Sequence, residues 1–329
     1  MRTVNLYAGG GAGINIAREL YRPEPVAEPG FAAIRTVFID ASGSNVPPEV
    51  LPNAFIRITS IDGSEIDGSG KVRSTNYKAA AAAVPQILHD HKPADLNILL
   101  HSASGGSGSA ILPALASELL LRGEDILVIL IGSTTCRQEI KNTINTLLSY
   151  QSISTLRERS VVCYYLENGE RPMRENDATA RVITLLSAAL WSGENFGLDK
   201  EDLHNWLNYD RVSTYPPALT AMELDGPGVE LERLSGQAVS STVTLIREGE
   251  DPTPSEVVGY HSFGTISQAA AEAIKMPSPI HLNTVQGYFP RILTALQEKL
   301  AAIEEVHRAN NINKITLEKT AIESDGMVL

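Results

Sequence analysis

One stretch constrains the fold of this chain more than any other: HSASGGSGSA, residues 101–110. An apolar segment of strand length precedes it, and an apolar segment of helix length follows it and ends at Gly123. Strand, Gly/Ser loop and helix in this order predict an anion site, because glycines allow close backbone approach and the first helical turn has unpaired N–H groups. Ser102, Ser104, Ser107 and Ser109 would add hydroxyl donors. The alternative is an ordinary flexible turn between two core elements.

Two common motifs do not fit this loop. A nucleophile elbow requires G-x-S-x-G, but Ser109 stands where the second glycine around Ser107 belongs. A Walker loop requires G-x-x-x-x-G-K-[ST], and the Gly70-Lys71 dipeptide lacks both the first glycine and the following hydroxyl residue. The loop therefore predicts phosphate binding of another kind.

The composition restricts the class of protein. The length of 329 residues predicts two domains, and the hydrophobic content of 43% predicts a globular protein. The net charge is −12. The acidic balance argues against binding nucleic acid or an anionic membrane directly through a basic face. No segment approaches ~18 uninterrupted apolar residues and no signal peptide is recognised, so we expect a soluble, cytoplasmic protein. Cys136 and Cys163 are expected to be reduced core thiols.

Strands and helices alternate over about the first 165 residues, which predicts a doubly wound α/β domain with a mostly parallel sheet. The chain opens with a strand over residues 4–8 and a second glycine loop, AGGGAGIN. This loop resembles a dinucleotide fingerprint but has isoleucine where the last small residue is required. It is still a loop of the phosphate-binding type, and Asn15 in the helix behind it is a candidate to face a base.

Two further residues follow strand or turn signals in this half. Asp40 ends the strand AIRTVFID, and the carboxyl ends of strands are where α/β sheets bind ligands. Asp40 is therefore a candidate for ribose or for water around a metal ion, or else a residue that starts a turn. Lys71 could neutralise a phosphate, although DGSG before it is also good turn chemistry between exposed segments.

A helix is predicted from Asn176 to about Ser192, with its apolar residues at the spacing of a core-facing side. Asn176 and Asp177 stand at its start, where an N-cap pair is the alternative to a functional role. Asp199 and Asp202 follow, three residues apart, which places both carboxylates on one side of a turn. The alternative for this pair is helix capping on an acidic surface.

The second half has a different character. YPPAL and DGPG are typical of loops, and three β-rich runs with a helix between the last two predict a smaller α+β domain. A long, charged amphipathic helix follows, and the residues after it, up to Leu329, are predicted to be extended.

Together these pieces resemble the tubulin/FtsZ superfamily of GTPases. SGGSGSA is similar to its signature loop, GGTGSG or GGTGTG, and AGGGAGIN is similar to the GGGGxN loop of its bacterial branch. The Asn176-Asp177 pair and LDKEDL stand at the separation found in the bacterial cell-division branch. The chain departs from the pattern at Ser107, Ser109 and Gly197, which replace Thr, Gly and Asn. It most resembles the small bacteriophage tubulin-like proteins, which end in a helix and an acidic tail.

The resemblance implies a residue set for GTP or GDP with Mg²⁺. Phosphate would bind to loop residues Gly9, Gly10, Gly11, Gly105, Gly106, Ser107, Gly108 and Ser109. Asn15, Asn176 and Asp177 would read guanine, and Glu139 would hold the ribose. Asp202 would activate water with the support of Asp199, on the nucleotide of a neighbouring subunit.

The resemblance also implies an organisation and a role. It divides the chain into a GTP-binding domain (1–175), a central helix with the start of the acidic loop (176–197), a second domain (198–290) and a C-terminal helix with its tail (291–329). Subunits would stack head-to-tail into dynamic filaments, with polymerisation activating the GTPase and the tail docking on a neighbour. The filaments would position phage DNA or its compartment in the cytoplasm of the bacterial host.

Two alternatives remain open from the sequence. One is another nucleotide-dependent α/β enzyme such as an NAD-type dehydrogenase, against which the incomplete fingerprint and the two separate loops count. The other is a filament scaffold without catalytic activity, against which the intact Asp199/Asp202 pair counts.

Overall fold

The computed structural model describes residues 2–60, 63–65, 73–168, 172–192, 198–227, 237–251 and 259–323. The strands in these residues are β1 (Thr3–Gly9), β2 (Ala33–Asp40), β3 (Phe55–Arg57), β4 (Leu96–Ser102), β5 (Ile126–Gly132), β6 (Val161–Glu167), β7 (Leu219–Asp225), β8 (Val239–Arg247), β9 (Tyr260–Ile266) and β10 (Ile280–Val285). The α-helices are α1 (Gly10–Ala17), α2 (Arg73–Asp90), α3 (Gly108–Leu121), α4 (Arg137–Arg157), α5 (Pro172–Ser192), α6 (Lys200–Leu207), α7 (Gln268–Ala273) and α8 (Tyr288–Glu323).

The described strands form one sheet in the order β3-β2-β1-β4-β5-β6-β7-β10-β8-β9. Every neighbouring pair from β3 to β7 is parallel. Strand β10 is antiparallel to β7 and β8, and β9 is parallel to β8. The predicted doubly wound, mostly parallel α/β fold is therefore confirmed. The sheet continues into the second half of the chain where Val161 of β6 pairs with Leu219 of β7.

Helices cover both faces of the parallel strands, so these strands are apolar on both sides. All seven residues of β5 are buried. Successive side chains point to opposite faces: Ile129 belongs to the core shared with Ile183 and Leu186 of α5, whereas Val128 belongs to the core shared with α3 and α4. Each fully buried side chain of this size contributes about 1.5–3 kcal/mol to folding.

Helix α5 differs from its prediction only at its start. The predicted apolar side is buried, including Val182, Leu186 and Leu190. The helix begins at Pro172, because proline suits a first turn whose N–H groups have no helical partner. Asn176 and Asp177 therefore lie inside the helix, and the alternative of an N-cap pair is wrong.

Three other expectations are corrected by the structure. Strand β7 was not predicted, because LTAMELD is rich in helix formers and is extended through pairing with β6 and β10. Helix α8 continues to Glu323, so much of the predicted extended tail is helical, and residues 324–329 lie outside the described part. Cys163 is buried, but Cys136 is exposed because it precedes α4 as its N-cap residue. No helix in the described ranges has both the length and the apolar character needed to cross a membrane.

Candidate functional site

A cavity of about 420 Å³ lies where β1, β2 and β4 end and the following loops begin. It is lined by Gly9, Gly10, Gly11, Ala12, Asp40, Ser42, Asn45, Ser102, Ser104, Gly105, Gly106, Ser107, Gly108 and Glu139. The two glycine loops therefore meet in one site at the carboxyl ends of the strands, although they are about 100 residues apart in the sequence.

The glycines are needed because the two loops pack backbone to backbone. A Cβ atom on Gly10 would lie 3.0 Å from the Gly108 nitrogen, and Gly10 has a φ of +69°, which disfavours other residues. A Cβ atom on Gly9 would lie 2.2 Å from the side chain of Leu112. A side chain at Gly10 would crowd the backbone of the second loop, and one at Gly9 would displace the Leu112 side chain of α3.

Two helices begin at this cavity. Helix α1 starts at Gly10 and helix α3 starts at Gly108, and both residues line the cavity. The N–H groups of a first helical turn lack helical partners, and the helix dipole places partial positive charge there. None of the described residues lining the cavity is lysine or arginine. Among the described lining residues, the groups that attract an anion are the backbone N–H groups and the serine hydroxyls.

The serines of the second loop divide into two groups. The hydroxyls of Ser102 and Ser104 lie 2.9 Å apart, and Ser104 N–H donates to the Ser102 hydroxyl; both residues line the cavity, as does Ser107. Ser109 is fully buried, and its hydroxyl donates to the Gly105 carbonyl at 2.5 Å. Ser109 thus closes the loop and does not line the cavity, in contrast to the other serines.

Helix α4 supports this loop from behind, which the sequence analysis missed. Asn142 donates to the carbonyl oxygen of Ser104 at 2.9 Å. Thr146 donates to the carbonyl oxygen of Ala103 at 2.8 Å. Both side chains are buried, so each satisfies a loop carbonyl that water does not reach.

A third contact continues the same line along α4. The Tyr150 hydroxyl lies 2.7 Å from Nε2 of His101, which is fully buried at the end of β4 and whose Nδ1 lies 3.0 Å from the Ser102 carbonyl. Asn142, Thr146 and Tyr150 recur at four-residue intervals, so they share one side of the helix. That four-residue spacing of residues with polar groups was the available sequence signal.

Asp40 occupies the predicted position at the end of β2. It is 2% exposed; one carboxylate oxygen accepts from the Ala41 N–H at 2.7 Å and the other from the Asn45 amide at 2.9 Å. The Asn45 side chain in turn lies over Gly11, since a Cβ atom on that glycine would be 3.1 Å from its amide nitrogen. Asp40 therefore combines the turn role and a position on the cavity wall.

Glu139 lines the cavity from the first turn of α4. It is half-buried, and one of its carboxylate oxygens accepts from the Ser133 hydroxyl at 2.7 Å. This contact ties the start of α4 to the loop that follows β5.

The structure does not bring the predicted base-reading residues into the cavity. Asn15 is exposed on α1, Asn176 is half-buried in α5, and Asp177 beside it is exposed. The two helices pack against each other. None of the three side chains is part of the cavity lining. Lys71 lies outside the described residues.

The Asp199/Asp202 pair forms a reciprocal capping box at the start of α6. Asp199 accepts from the Asp202 N–H at 2.8 Å, and Asp202 accepts from the Asp199 N–H at 3.0 Å. The second oxygen of Asp202 accepts from the hydroxyl of Tyr260 at 2.6 Å. Burial and the neighbouring Asp202 carboxylate raise the pKa of Tyr260 to about 12, so the phenol is a donor at neutral pH. Capping, the alternative role of this pair, is present in the structure.

Helix α6 lies at the amino ends of the parallel strands, whereas the cavity lies at their carboxyl ends. Nδ1 of His204 is 2.7 Å from the carboxylate of Asp125, which directly precedes β5. The ammonium group of Lys200 is 3.9 Å from the carboxylate of Asp95, which directly precedes β4. Seven-residue strands rise roughly 23 Å at ~3.3 Å per residue, and this length separates the acidic pair from the glycine loops.

The chain is similar in sequence to phage proteins. It is 29% identical over 208 residues to a phage tubulin-like protein of Pseudomonas phage PhiPA3. It is 26% identical over 187 residues to one of Pseudomonas phage phiKZ. The aligned residues make up 63% and 56% of this chain and 61% and 55% of these relatives, less than two thirds of their length. No family profile matches the chain.

The fold matches solved structures over nearly the whole chain. A protofilament of TubZ from bacteriophage PhiKZ superposes with a TM-score of 0.77 at 23% identity, covering 94% of this chain and 92% of the other. The GDP complex of the phage tubulin PhuZ superposes with a TM-score of 0.74 at 18% identity, covering 93% and 92%. The resemblance to the tubulin/FtsZ superfamily is confirmed. The tubulin-like fold includes both halves of the chain, because the superposition extends through the second half.

The carboxylates are spread over this tubulin-like fold. Asp40 and Glu139 stand on the cavity wall, whereas Asp199 and Asp202 lie at the far edge. Within the described ranges, no three His, Cys, Asp or Glu side chains are grouped so that they could hold a metal ion.

Proposed function

We propose that this chain binds and hydrolyses GTP and assembles head-to-tail into dynamic filaments, in which the acidic pair of one subunit completes the GTPase site of the next. The observation that carries the proposal is that the glycine-loop cavity lies at the carboxyl ends of the parallel strands and the acidic pair at their amino ends. A single subunit cannot bring the two together. A second copy can bring them together if its acidic pair stacks on the cavity of the first. Such a heterologous contact repeats into a filament because it does not close.

The phosphates of GTP would lie against the N-termini of α1 and α3. Backbone N–H groups of residues 9–11 and 105–108 would donate to phosphate oxygens, with Ser104 and Ser107 adding hydroxyls. Asn15 and Asn176 would face guanine on the α1–α5 side. Asp177 would accept from the guanine N1 and N2 groups, which favours guanine over adenine.

The donor set also fits Mg²⁺, which is bound in proteins by one or two carboxylates, water and substrate phosphates. Asp40 supplies a buried carboxylate at the cavity wall, directly or through water. Glu139 would accept from the ribose hydroxyls. When bound, the ion neutralises charge on the phosphates. Lys71 would neutralise phosphate charge.

Hydrolysis would depend on Asp202 with Asp199 as its support. A carboxylate within hydrogen-bond distance of water can orient it towards the γ-phosphate and accept its proton. Each carboxylate oxygen has two lone pairs, so Asp202 can accept from water in addition to its internal donors. Polymerisation would then control the rate, because the acid reaches GTP only across a subunit contact.

A scaffold without GTPase activity is the second candidate. The capping box and the Tyr260 hydrogen bond account for both aspartates structurally. An NAD-type enzyme is a further alternative, because the order β3-β2-β1-β4-β5-β6 is shared with dinucleotide-binding folds. Binding is therefore measured with NADH as well as with GTP.

The test measures phosphate release and light scattering against protein concentration. The wild type is expected to show a rate per subunit that rises with assembly. Asp202→Asn and Asp199→Asn should assemble with GTP but release at least about tenfold less phosphate. Glu201→Gln is the matched control, since Glu201 is an exposed acid in the same turn. A rate independent of concentration, or full activity of both aspartate variants, would refute the proposal.

A mixing experiment tests the shared site directly. Asp202→Asn keeps both glycine loops and should bind GTP. Gly108→Ala is expected to bind GTP poorly but keeps the acidic pair. Each variant alone should release much less phosphate than the wild type. Their mixture should recover activity at contacts where a bound GTP meets an intact Asp202. Absence of recovery, despite co-sedimentation of both variants, would contradict a site formed from two subunits.

The cellular role that we propose is to position phage DNA or its compartment in the host cytoplasm, with the C-terminal tail docking on a neighbouring subunit. The similarity to phage tubulin-like proteins supports it. Fluorescently labelled chain should form filaments during infection, and Asp202→Asn should displace the phage DNA. Unchanged DNA position with that variant would argue against this role.

A further inference from the structure

We propose that Tyr260 is a positioning residue for hydrolysis, because its hydroxyl fixes the carboxylate of Asp202 in the orientation that a neighbouring subunit's nucleotide requires. This inference rests on the proposed function. It concerns a residue of β9, in the second half of the chain, which the sequence does not connect with the acidic loop.

The contact fixes the carboxylate from two directions. One oxygen of Asp202 accepts from the Asp199 N–H at 3.0 Å, and the other accepts from the Tyr260 hydroxyl at 2.6 Å. With one donor alone, the carboxylate could rotate about its Cβ–Cγ bond. With both donors, its plane is set. Hydrogen bonds to a charged acceptor of this length are stronger than those between neutral groups.

The rest of α6 is held without Tyr260. Leu203, Trp206 and Leu207 are buried against the core. The indole of Trp206 donates to the Leu282 carbonyl, and His204 contacts Asp125. Removing the phenolic oxygen should therefore free the carboxylate while the helix keeps its place. This separates an effect on orientation from an effect on folding.

Tyr260 also has an orientation that suits a donor role. Residues at alternate positions of β9 face the same side of the sheet. Tyr260 shares its side with Gly264, whose position is packed against Leu198 in the segment leading to α6. Strand β9 therefore lies along the acidic segment over several residues, and the hydroxyl is aimed by that packing.

The test compares Tyr260→Phe, Asp202→Asn and the double variant in assembled filaments. Tyr260→Phe should lower kcat for GTP about tenfold, the order expected for losing one charge-assisted hydrogen bond. KM for GTP and the critical concentration should stay unchanged, because the glycine loops lie at the opposite ends of the strands from Tyr260 and Asp202. In the Asp202→Asn background, Tyr260→Phe should have no further effect. Tyr77→Phe, which removes an exposed hydroxyl on α2, is the control.

The outcomes distinguish this inference from the proposed function. If the wild type and Asp202→Asn behave as expected but Tyr260→Phe keeps full kcat, only the role of Tyr260 is refuted. The same holds if Tyr260→Phe reduces the residual rate equally with and without Asp202, since its effect would then not act through that carboxylate. If Asp202→Asn retains full activity, this inference fails, and if Asp199→Asn is fully active as well, the proposed function fails with it.

Discussion

A Cβ atom on Gly108 would lie 2.4 Å from the carbonyl oxygen of Gly9, so the two glycine loops touch directly through their backbones. This contact joins the first turn of α3 to the end of β1. It explains why one cavity is formed by residues so distant in sequence. The same crowding makes Gly108 a sensitive position for the nucleotide binding that we propose.

Gly108→Ala should separate the two loops. Overpacking of this kind typically costs about 1–3 kcal/mol, and we expect at least a tenfold loss of GTP affinity with it. Gly43→Ala is the control, because a Cβ atom there has no atom within 4 Å. Calorimetric titration with GTP and urea unfolding would measure both effects. Wild-type affinity of Gly108→Ala would show that the loop contact is not needed for binding.

Thr146→Val should destabilise the protein and weaken nucleotide binding together. The substitution keeps the shape but leaves the buried Ala103 carbonyl without its donor, which costs about 1–3 kcal/mol. Ser149→Ala on the same helix is the matched control, because its hydroxyl donates to the Asn145 carbonyl of α4 in an exposed hydrogen bond. Urea unfolding and GTP titration are the measurements. An equal effect of the two substitutions would contradict the supporting role of Thr146.

Glu304 should titrate far below other glutamates. The ammonium of Lys141 and the guanidinium of Arg137, both on α4, lower its pKa from 4.5 to about 2. A lowered folded pKa means that this contact stabilises the α4–α8 packing above about pH 4.5 and loses that effect as pH falls through about 2. Carboxyl NMR titration should show this value, and Lys141→Met should raise it. A value near 4.5 in the wild type would show that the contact is absent in solution.

Local patterns in the sequence predicted much of the fold and part of the site. The glycine loops, the apolar side of α5 and the alternation of strands and helices depend on spacing along the chain. The capping role of Asp199 and Asp202 was visible for the same reason. The support of the loop by Asn142 and the contact of Tyr260 with Asp202 join segments far apart in sequence. Such contacts depend on tertiary packing, which spacing does not encode.

The separation of Asp202 from the glycine loops has a consequence for stoichiometry. If each GTPase site needs the cavity of one subunit and the acidic pair of the next, a single row of stacked subunits has one complete site fewer than it has subunits. The subunit at one end then keeps its nucleotide uncleaved, while the subunit at the other end presents an acid with no nucleotide to act on. The two ends differ chemically, and the smallest active species is a dimer.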